Sequence, residues 1–301
     1  MGGGAGAIAL GSSVMCGRAT LSSPAEDVAR LFDVDPIDIG PARFNIAPTQ
    51  PILTVRAHHG MRHGADDGRG GADHDPSAGT AVARELAVVR WGLIPWWAKA
   101  AEAKRIASKC IQARVETAPR SPAFRDAFKR QRCLVVIDGF FEWKTLPDGR
   151  RVPHHIRKSE HGPFAIGAVW DAWRPPAPEG AGAPSDANAP KPERIESCAV
   201  LTTRAAGAMN DLHDRMPLVL SPEEWSTWLG GSPEEVSRLL DQAPDLLERR
   251  ARELVAVPVS TWVNDVRHEG PRCIEPMSAA TNTDEAPQEP QIDFGFARAR
   301  R

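Results

Sequence analysis

The stretch CLVVIDGFFEWK, Cys133–Lys144, carries two messages in twelve residues. Its first half, Cys133–Asp138, is an apolar, β-branched run too short for a helix and closed by Asp-Gly, which reads as a buried strand. Its second half sets Glu142 between Phe141 and Trp143, a carboxylate that a plain core strand does not need. Outward from it, similar runs recur between Gly, Pro and Asp: PILTV (51–55), ELAVVRW (85–91), HHIR (154–157), FAIGAVW (164–170), CAVLTT (198–203), MPLVL (216–220) and LVAVPVS (254–260). Helices are few. Ser23, Ser221 and Ser232 each open a Ser-Pro-x-Glu pattern in which serine caps, proline takes the first turn and Glu26, Glu224 or Glu235 closes the box. This predicts helices over 24–32, 222–229 and 233–241, with a fourth near Pro122–Arg130. Strands not separated by regular helices argue against a doubly wound parallel sheet. The expected fold is α+β: one domain with a predominantly antiparallel, barrel-like sheet and a few peripheral helices.

Three stretches fall outside that pattern. Residues 57–81 and 174–194 are rich in Gly, Pro, Ala and Asp without apolar periodicity, and are expected to be disordered inserts, as is the tail over 277–301. The histidines of the first insert fit no metal-ligand spacing, and neither a metal nor a cofactor is expected. At 301 residues, 42% hydrophobic and 25% charged, the composition is that of a soluble globular protein. Five cysteines with no CxxC pair point to unpaired thiols in a reducing compartment, so the cytoplasm is expected. No apolar run approaches the roughly 20 residues that span a bilayer. The net charge of -2 hides a basic band: Trp97–Arg151 holds 13 Lys and Arg against 6 Asp and Glu. Such a band suits phosphates if it lies on one face, and is ordinary solvation if spread over several.

Four segments combine polar residues with aromatic or apolar neighbours: MCGR (15–18), IQARVET (111–117), DGFFEWK (138–144) and LHDRMPLVL (212–220). Singly, each has a plain structural reading. Together with RFNIAPTQ (43–50), WGLIPWWAK (91–99), RSPAFRDAF (120–128) and VNDVRHEGPRCIEP (263–276), they resemble the SOS-response-associated peptidase family, the abasic-site processing proteins, from Cys16 to about Pro276. The resemblance implies a monomer that binds single-stranded DNA, shields abasic lesions in the DNA damage response, and links its N-terminal cysteine covalently to the lesion.

The chemistry of Cys16 agrees with that implication. An open abasic site is an aldehyde, and only an unprotonated amine attacks it. An α-amine has a pKa of about 7.7–8.0 against about 10.4 for lysine, so near neutral pH its free fraction is a few hundredfold larger. The neighbouring thiol then closes the imine to a five-membered thiazolidine, which serine or alanine cannot do. By position in the motifs, the resemblance makes Glu142 the general acid/base and His213 the group that assists sugar opening or protonates the leaving group on reversal. Arg18, Arg114 and Arg125 would hold phosphates, and Pro48, Trp96 and Trp97 would stack on bases or wedge beside the lesion.

Two features depart from the family pattern. Gln112 stands where the family has asparagine, displacing the amide by about 1.5 Å. Residues 1–15 precede Cys16, and with them attached its nitrogen is an amide; they are expected to be a leader absent from the mature chain of 16–276 and its tail. Two rival readings remain at this point. A cysteine peptidase could use Cys16, Glu142 and His213 to cleave a peptide, its own leader included. A non-catalytic single-strand binder would keep the arginines and tryptophans and dispense with Cys16.

Overall fold

A computed structural model describes residues 17–58, 82–175, 194–241 and 243–277. In chain order these form β1 (Ala19–Leu21), α1 (Ala25–Phe32), β2 (Arg43–Ile46), β3 (Pro51–Ala57), β4 (Arg84–Trp91), α2 (Ala100–Lys109), β5 (Gln112–Arg114) and α3 (Arg125–Arg130). Next come β6 (Arg132–Ile137), β7 (Gly139–Thr145), β8 (Arg151–Lys158), β9 (Phe164–Trp173), β10 (Ile195–Arg204), β11 (Arg215–Pro217) and β12 (Val219–Leu220). The chain ends in α4 (Pro222–Gly230), α5 (Pro233–Asp241), α6 (Ala243–Arg252) and β13 (Leu254–Pro258), with short 3-10 turns at 207–211, 261–264 and 271–274.

The opening stretch is the hinge of the architecture. All six residues of β6 are buried in the larger sheet, and β7 belongs to the smaller one, so the chain changes sheet at Asp138 alone. Asp138 fixes that junction. Its carboxylate accepts from the backbone N–H and hydroxyl of both Ser22 and Ser23, at 2.5–2.9 Å, and its own N–H donates to the Thr20 carbonyl. The expected Ser23 capping box is therefore corrected: a charged acceptor in the sheet junction takes the serine donors, Pro24 occupies the cap position of α1, and no side chain caps it. The boxes at Ser221 and Ser232 form as expected, Glu224 accepting from Ser221 N–H at 2.7 Å and Glu235 from Ser232 N–H at 2.7 Å.

Gly139 is required where β7 begins. A Cβ there would stand 2.2 Å from His155 Nε2 and 2.7 Å from the Ile156 carbonyl oxygen of β8. His155 itself is buried, touches the Thr20 hydroxyl at 3.1 Å, and is held neutral by burial, its pKa lowered to about 4. Gly139→Ala is expected to lower unfolding free energy by roughly 1–3 kcal/mol, because strand backbone and ring must both shift. A urea midpoint equal to that of the parent chain would contradict this.

The smaller sheet runs β13-β8-β7-β1-β2, antiparallel throughout. In the larger, the pairings β10–β4–β3–β6–β9–β10 close a ring of five strands, with β11 and β5 added to β10 and β12 to β9. Among the described residues, the parallel pairings are those of β10 with β4 and with β5. The ring closes through a short contact, Arg90 and Trp91 of β4 with Ser197 and Cys198 of β10. Its interior fills with one face of its strands, including Ile52, Val135, Ile137, Ile166 and Val200, each at most 3% exposed. The molecule is thus α+β and mostly antiparallel.

Several boundaries differ from expectation. Residues 139–145 are a strand, although their polar content disguised it. α2 and α6 were not expected: Ala-, Glu- and Lys-rich AAEAKRIASK buries only Ala103 and Ala107, too weak an apolar stripe to read from sequence. MPLVL divides at Leu218, whose N–H donates to Leu201 and whose carbonyl accepts from Gly167. Ala57 belongs to β3, and His58 Nδ1 lies 3.0 Å from Glu85 Oε2. Arg174, Pro175, Arg194 and Met277 are likewise described, Arg194 beside Glu196. The expected leader, Cys16, and residues 59–81, 176–193 and 278–301 lie outside the described residues.

Candidate functional site

Glu142 lies in β7 and is 3% exposed. Side chains alternate along the strand. Phe141 and Trp143 face the cluster of Val259, Val263 and Cys273, and Phe140 lies in the seam between the two sheets, so Glu142 shares the seam side with Phe140. The Phe141 N–H donates to the Arg18 carbonyl at 3.0 Å, which brings the described start of the chain, Gly17-Arg18, alongside Glu142. Across the seam from Arg18 and Phe140 stand Trp91, Val200 and Pro217 of the larger sheet.

Arg18 is half-buried, and the guanidinium is engaged with protein groups. It donates to Asn45 Oδ1 at 2.7 Å, to the Val263 carbonyl at 2.8 Å and to the Asn264 carbonyl at 3.3 Å, and lies 6.0 Å from the Trp143 ring centre. Burial lowers its pKa, an effect opposed by the charge of Asp265. Asn45, which the sequence reading passed over within RFNIAPTQ, is fully buried and completes this network: its amide donates to the Asp265 and His268 carbonyls, both at 2.9 Å. A polar side chain in a β-rich run was the only available signal. The segment 263–276 is further fixed by Trp262, stacked on His268 at 3.4 Å with Arg272 4.2 Å from its ring centre, and by Trp143 Nε1 donating to Asn264 Oδ1.

On the larger sheet, Gln112 and Arg114 sit in β5 in parallel register with Val200 and Thr202 of β10. Arg114 is exposed. Gln112 Oε1 is buried with no hydrogen-bond donor among the described residues, an acceptor position that costs about 1–3 kcal/mol unless a donor arrives. His213 follows a 3-10 turn, its Nδ1 3.0 Å from Arg215 N–H and 2.7 Å from Asp214 Oδ1. The two contacts belong to different positions of the ring proton: Nδ1 accepts from the Arg215 N–H when the proton sits on Nε2, and donates to the Asp214 carboxylate when Nδ1 carries it.

Trp96, Trp97 and Arg125 form a separate group. Trp96 is 62% and Trp97 44% exposed, unusual for indoles. Trp96 Nε1 donates to Asp126 at 3.2 Å and its N–H to Asp171, while Trp97 Nε1 donates to the Pro122 carbonyl, placing both rings beside Arg125 at the start of α3. Pro48 lies in the turn after β2, where Thr49 adopts φ 76° and donates to the Trp91 carbonyl; Trp91 Nε1 in turn donates to Ile111, next to Gln112. The basic band does not occupy one face: Arg132 is buried, giving its protons to the carbonyls of Trp228, Gly231 and Phe128. No group of three or more His, Cys, Asp or Glu suited to a metal occurs among the described residues, and no described helix is long and apolar enough to cross a membrane.

A family model described as "SOS response associated peptidase (SRAP)" matches residues 15–266. The chain is 31% identical over 268 residues to the abasic site processing protein YoqW of Bacillus subtilis, covering 87% of this chain and 99% of that one. It is 28% identical to YedK of Escherichia coli, with 87% and 100% covered, and 26% identical to HMCES of Rattus norvegicus, with 87% and 76% covered; both bear the same description. Among solved structures, a Bacteroides thetaiotaomicron protein superposes with a TM-score of 0.64 at 20% identity, over 87% of this chain and all of that one, and so shares the fold. Sequence motifs, family match and fold agree: the chain belongs to the SOS response associated peptidase (SRAP) family.

Proposed function

We propose that this protein acts on abasic sites in single-stranded DNA by forming a thiazolidine between Cys16 and the opened sugar, shielding the lesion. The observation that carries the reading is the buried carboxylate of Glu142 beside Arg18. Covalent continuity keeps the Cα of Cys16 within about 7 Å of that of Arg18. The relatives' description as abasic site processing proteins supports the substrate.

The steps balance without a cofactor. The free α-amine adds to the C1′ aldehyde, water leaves to give an imine, and the thiol adds to the imine carbon as its proton passes to nitrogen. Glu142 carries protons through the first two steps. His213, with its ring proton on Nε2, serves the sugar oxygen on ring opening. Gln112 Oε1 is the acceptor that would receive a proton of the amine or of an opened-sugar hydroxyl. Arg114 and Arg125 take phosphates, Trp96, Trp97 and Pro48 meet bases, and Arg18 chiefly holds segment 263–276 against the site. The test is a denaturing gel of a chain beginning at Cys16 with a single strand carrying one abasic site. An adduct stable without borohydride is expected, and its absence would overturn the proposal.

Gln112→Asn restores the family's shorter side chain. It is expected to speed adduct formation about ten- to a hundredfold, since a misplacement of about 1 Å can cost roughly a hundredfold. Affinity for undamaged strands should not change. Equal rates would show that glutamine reaches the same place.

A further inference from the structure

Beside the candidate site, the larger sheet carries a second group of arginines. Thr202 of β10 is in register with Arg114 of β5, and Arg204 of β10 with Arg215 of β11. Because side chains alternate, Thr202 and Arg204 lie on one face of β10, and their partners Arg114 and Arg215 lie on that face with them. Arg114, Arg204 and Arg215 line an open cleft of about 540 Å³ with Asn210 and Asp214, directly after His213.

The three guanidiniums are not equivalent. Arg215 is committed: it forms a two-pronged pair with Glu116 at 2.8 and 2.9 Å and donates to the Thr202 carbonyl at 2.6 Å. Arg114 and Arg204 are exposed, and neither has a carboxylate within 4.0 Å among the described residues. The cleft's acid, Asp214, has an oxygen at His213. Strand spacing and rise put the Cα atoms of Arg114 and Arg204 about 8 Å apart. Two arginine side chains at that separation can converge on one tetrahedral anion, each offering a fork of donors.

We infer that Arg204 is a phosphate-binding residue that, with Arg114, clamps a single backbone phosphate of the strand next to the lesion-bearing sugar. The inference rests on the DNA binding proposed above but not on its covalent chemistry. Arg215 is the fixed wall of this clamp, held in place by Glu116, and Asn210 supplies an amide at its edge.

The test measures fluorescence anisotropy of an undamaged, labelled single strand bound by the full chain, from about 50 to 200 mM salt. One phosphate neutralised on a single strand contributes about 0.7 to the slope of log affinity against log salt. Arg204→Ala is expected to flatten the slope by about 0.7 and weaken binding roughly fivefold at the low-salt end. Arg204→Lys should keep the slope, as the charge remains. Arg30→Ala, on α1, should match the parent chain. Because the clamp needs both guanidiniums to hold the phosphate, the double variant Arg114→Ala with Arg204→Ala should lose no more slope than Arg204→Ala alone, about 0.7 in total.

An unchanged slope in Arg204→Ala would overturn the assignment, and a loss of about 1.4 in the double variant would overturn the shared clamp. A parent chain with no salt-dependent binding would overturn both this inference and the proposed DNA binding. Failure to form the abasic adduct, with these slopes as expected, would sink the covalent function and leave Arg204 in place.

Discussion

A chain carrying one extra residue other than cysteine ahead of Cys16 will form no adduct with an abasic strand that survives without borohydride, while binding undamaged DNA as before. The new α-amine has no thiol beside it and gives at most an imine that reduction must trap. The extension converts the α-amine, with a pKa of about 7.7–8.0, into an amide that has no lone pair to give an aldehyde. The thiol is untouched. Lysine cannot substitute, since near neutral pH its free amine fraction is a few hundredfold smaller. Cys16→Ala in a chain starting at that residue keeps the amine and loses the thiol, so it is expected to give an imine trapped by borohydride but no adduct that survives without reduction. A cysteine peptidase makes the reverse forecast, with the extended chain active and the alanine variant dead. A stable adduct from the extended chain, its extension verified by intact mass, would refute the thiazolidine mechanism.

The parts of this molecule that were legible in sequence are those fixed by local chemistry. Runs such as FAIGAVW and CAVLTT announce β9 and β10 because β-branched and apolar residues leave them little else to do. Ser232 and Glu235 announce α5 because both halves of the capping box lie within four residues. Ser23 has the same local pattern, yet its hydroxyl donates to Asp138, 115 residues away. There a tertiary charge outcompetes a helix terminus, and no local rule could report it. The ring closure of β10 onto β4 and β9 was likewise invisible in detail, because it joins strands across long intervals. For the candidate site, motif resemblance nominates Gln112, Glu142 and His213, but says nothing of the contacts around them. Asn45 and Arg18 tie segment 263–276 to the start of the chain through backbone carbonyls, which no side-chain pattern encodes. The basic band misled in the same way, since composition cannot tell a phosphate-facing arginine from Arg132, whose protons serve the carbonyls of Trp228 and Gly231.

Glu142→Gln is expected to slow adduct formation by about a hundred- to ten-thousandfold, the usual worth of a positioned acid/base. The substitution preserves size and hydrogen-bonding shape, so strand β7 and the seam beside Phe140 should keep their packing, and the urea midpoint serves as the check on that. What it removes is the ability to accept a proton from the attacking amine and return one to the departing hydroxyl. If those two transfers are the role of Glu142, borohydride trapping of the imine must slow by the same factor as formation of the stable adduct, because both stand behind the lost step. If the carboxylate acts only when the thiol closes the ring, the trapped imine would form at the parent rate and the unreduced adduct alone would fall, which would move Glu142 to the last step. Affinity for undamaged single strands should stay within about twofold, since a side chain 3% exposed offers little surface to DNA. A Glu142→Gln chain that forms the stable adduct at the parent rate would remove Glu142 from the chemistry altogether, and with it the observation on which the proposed function stands.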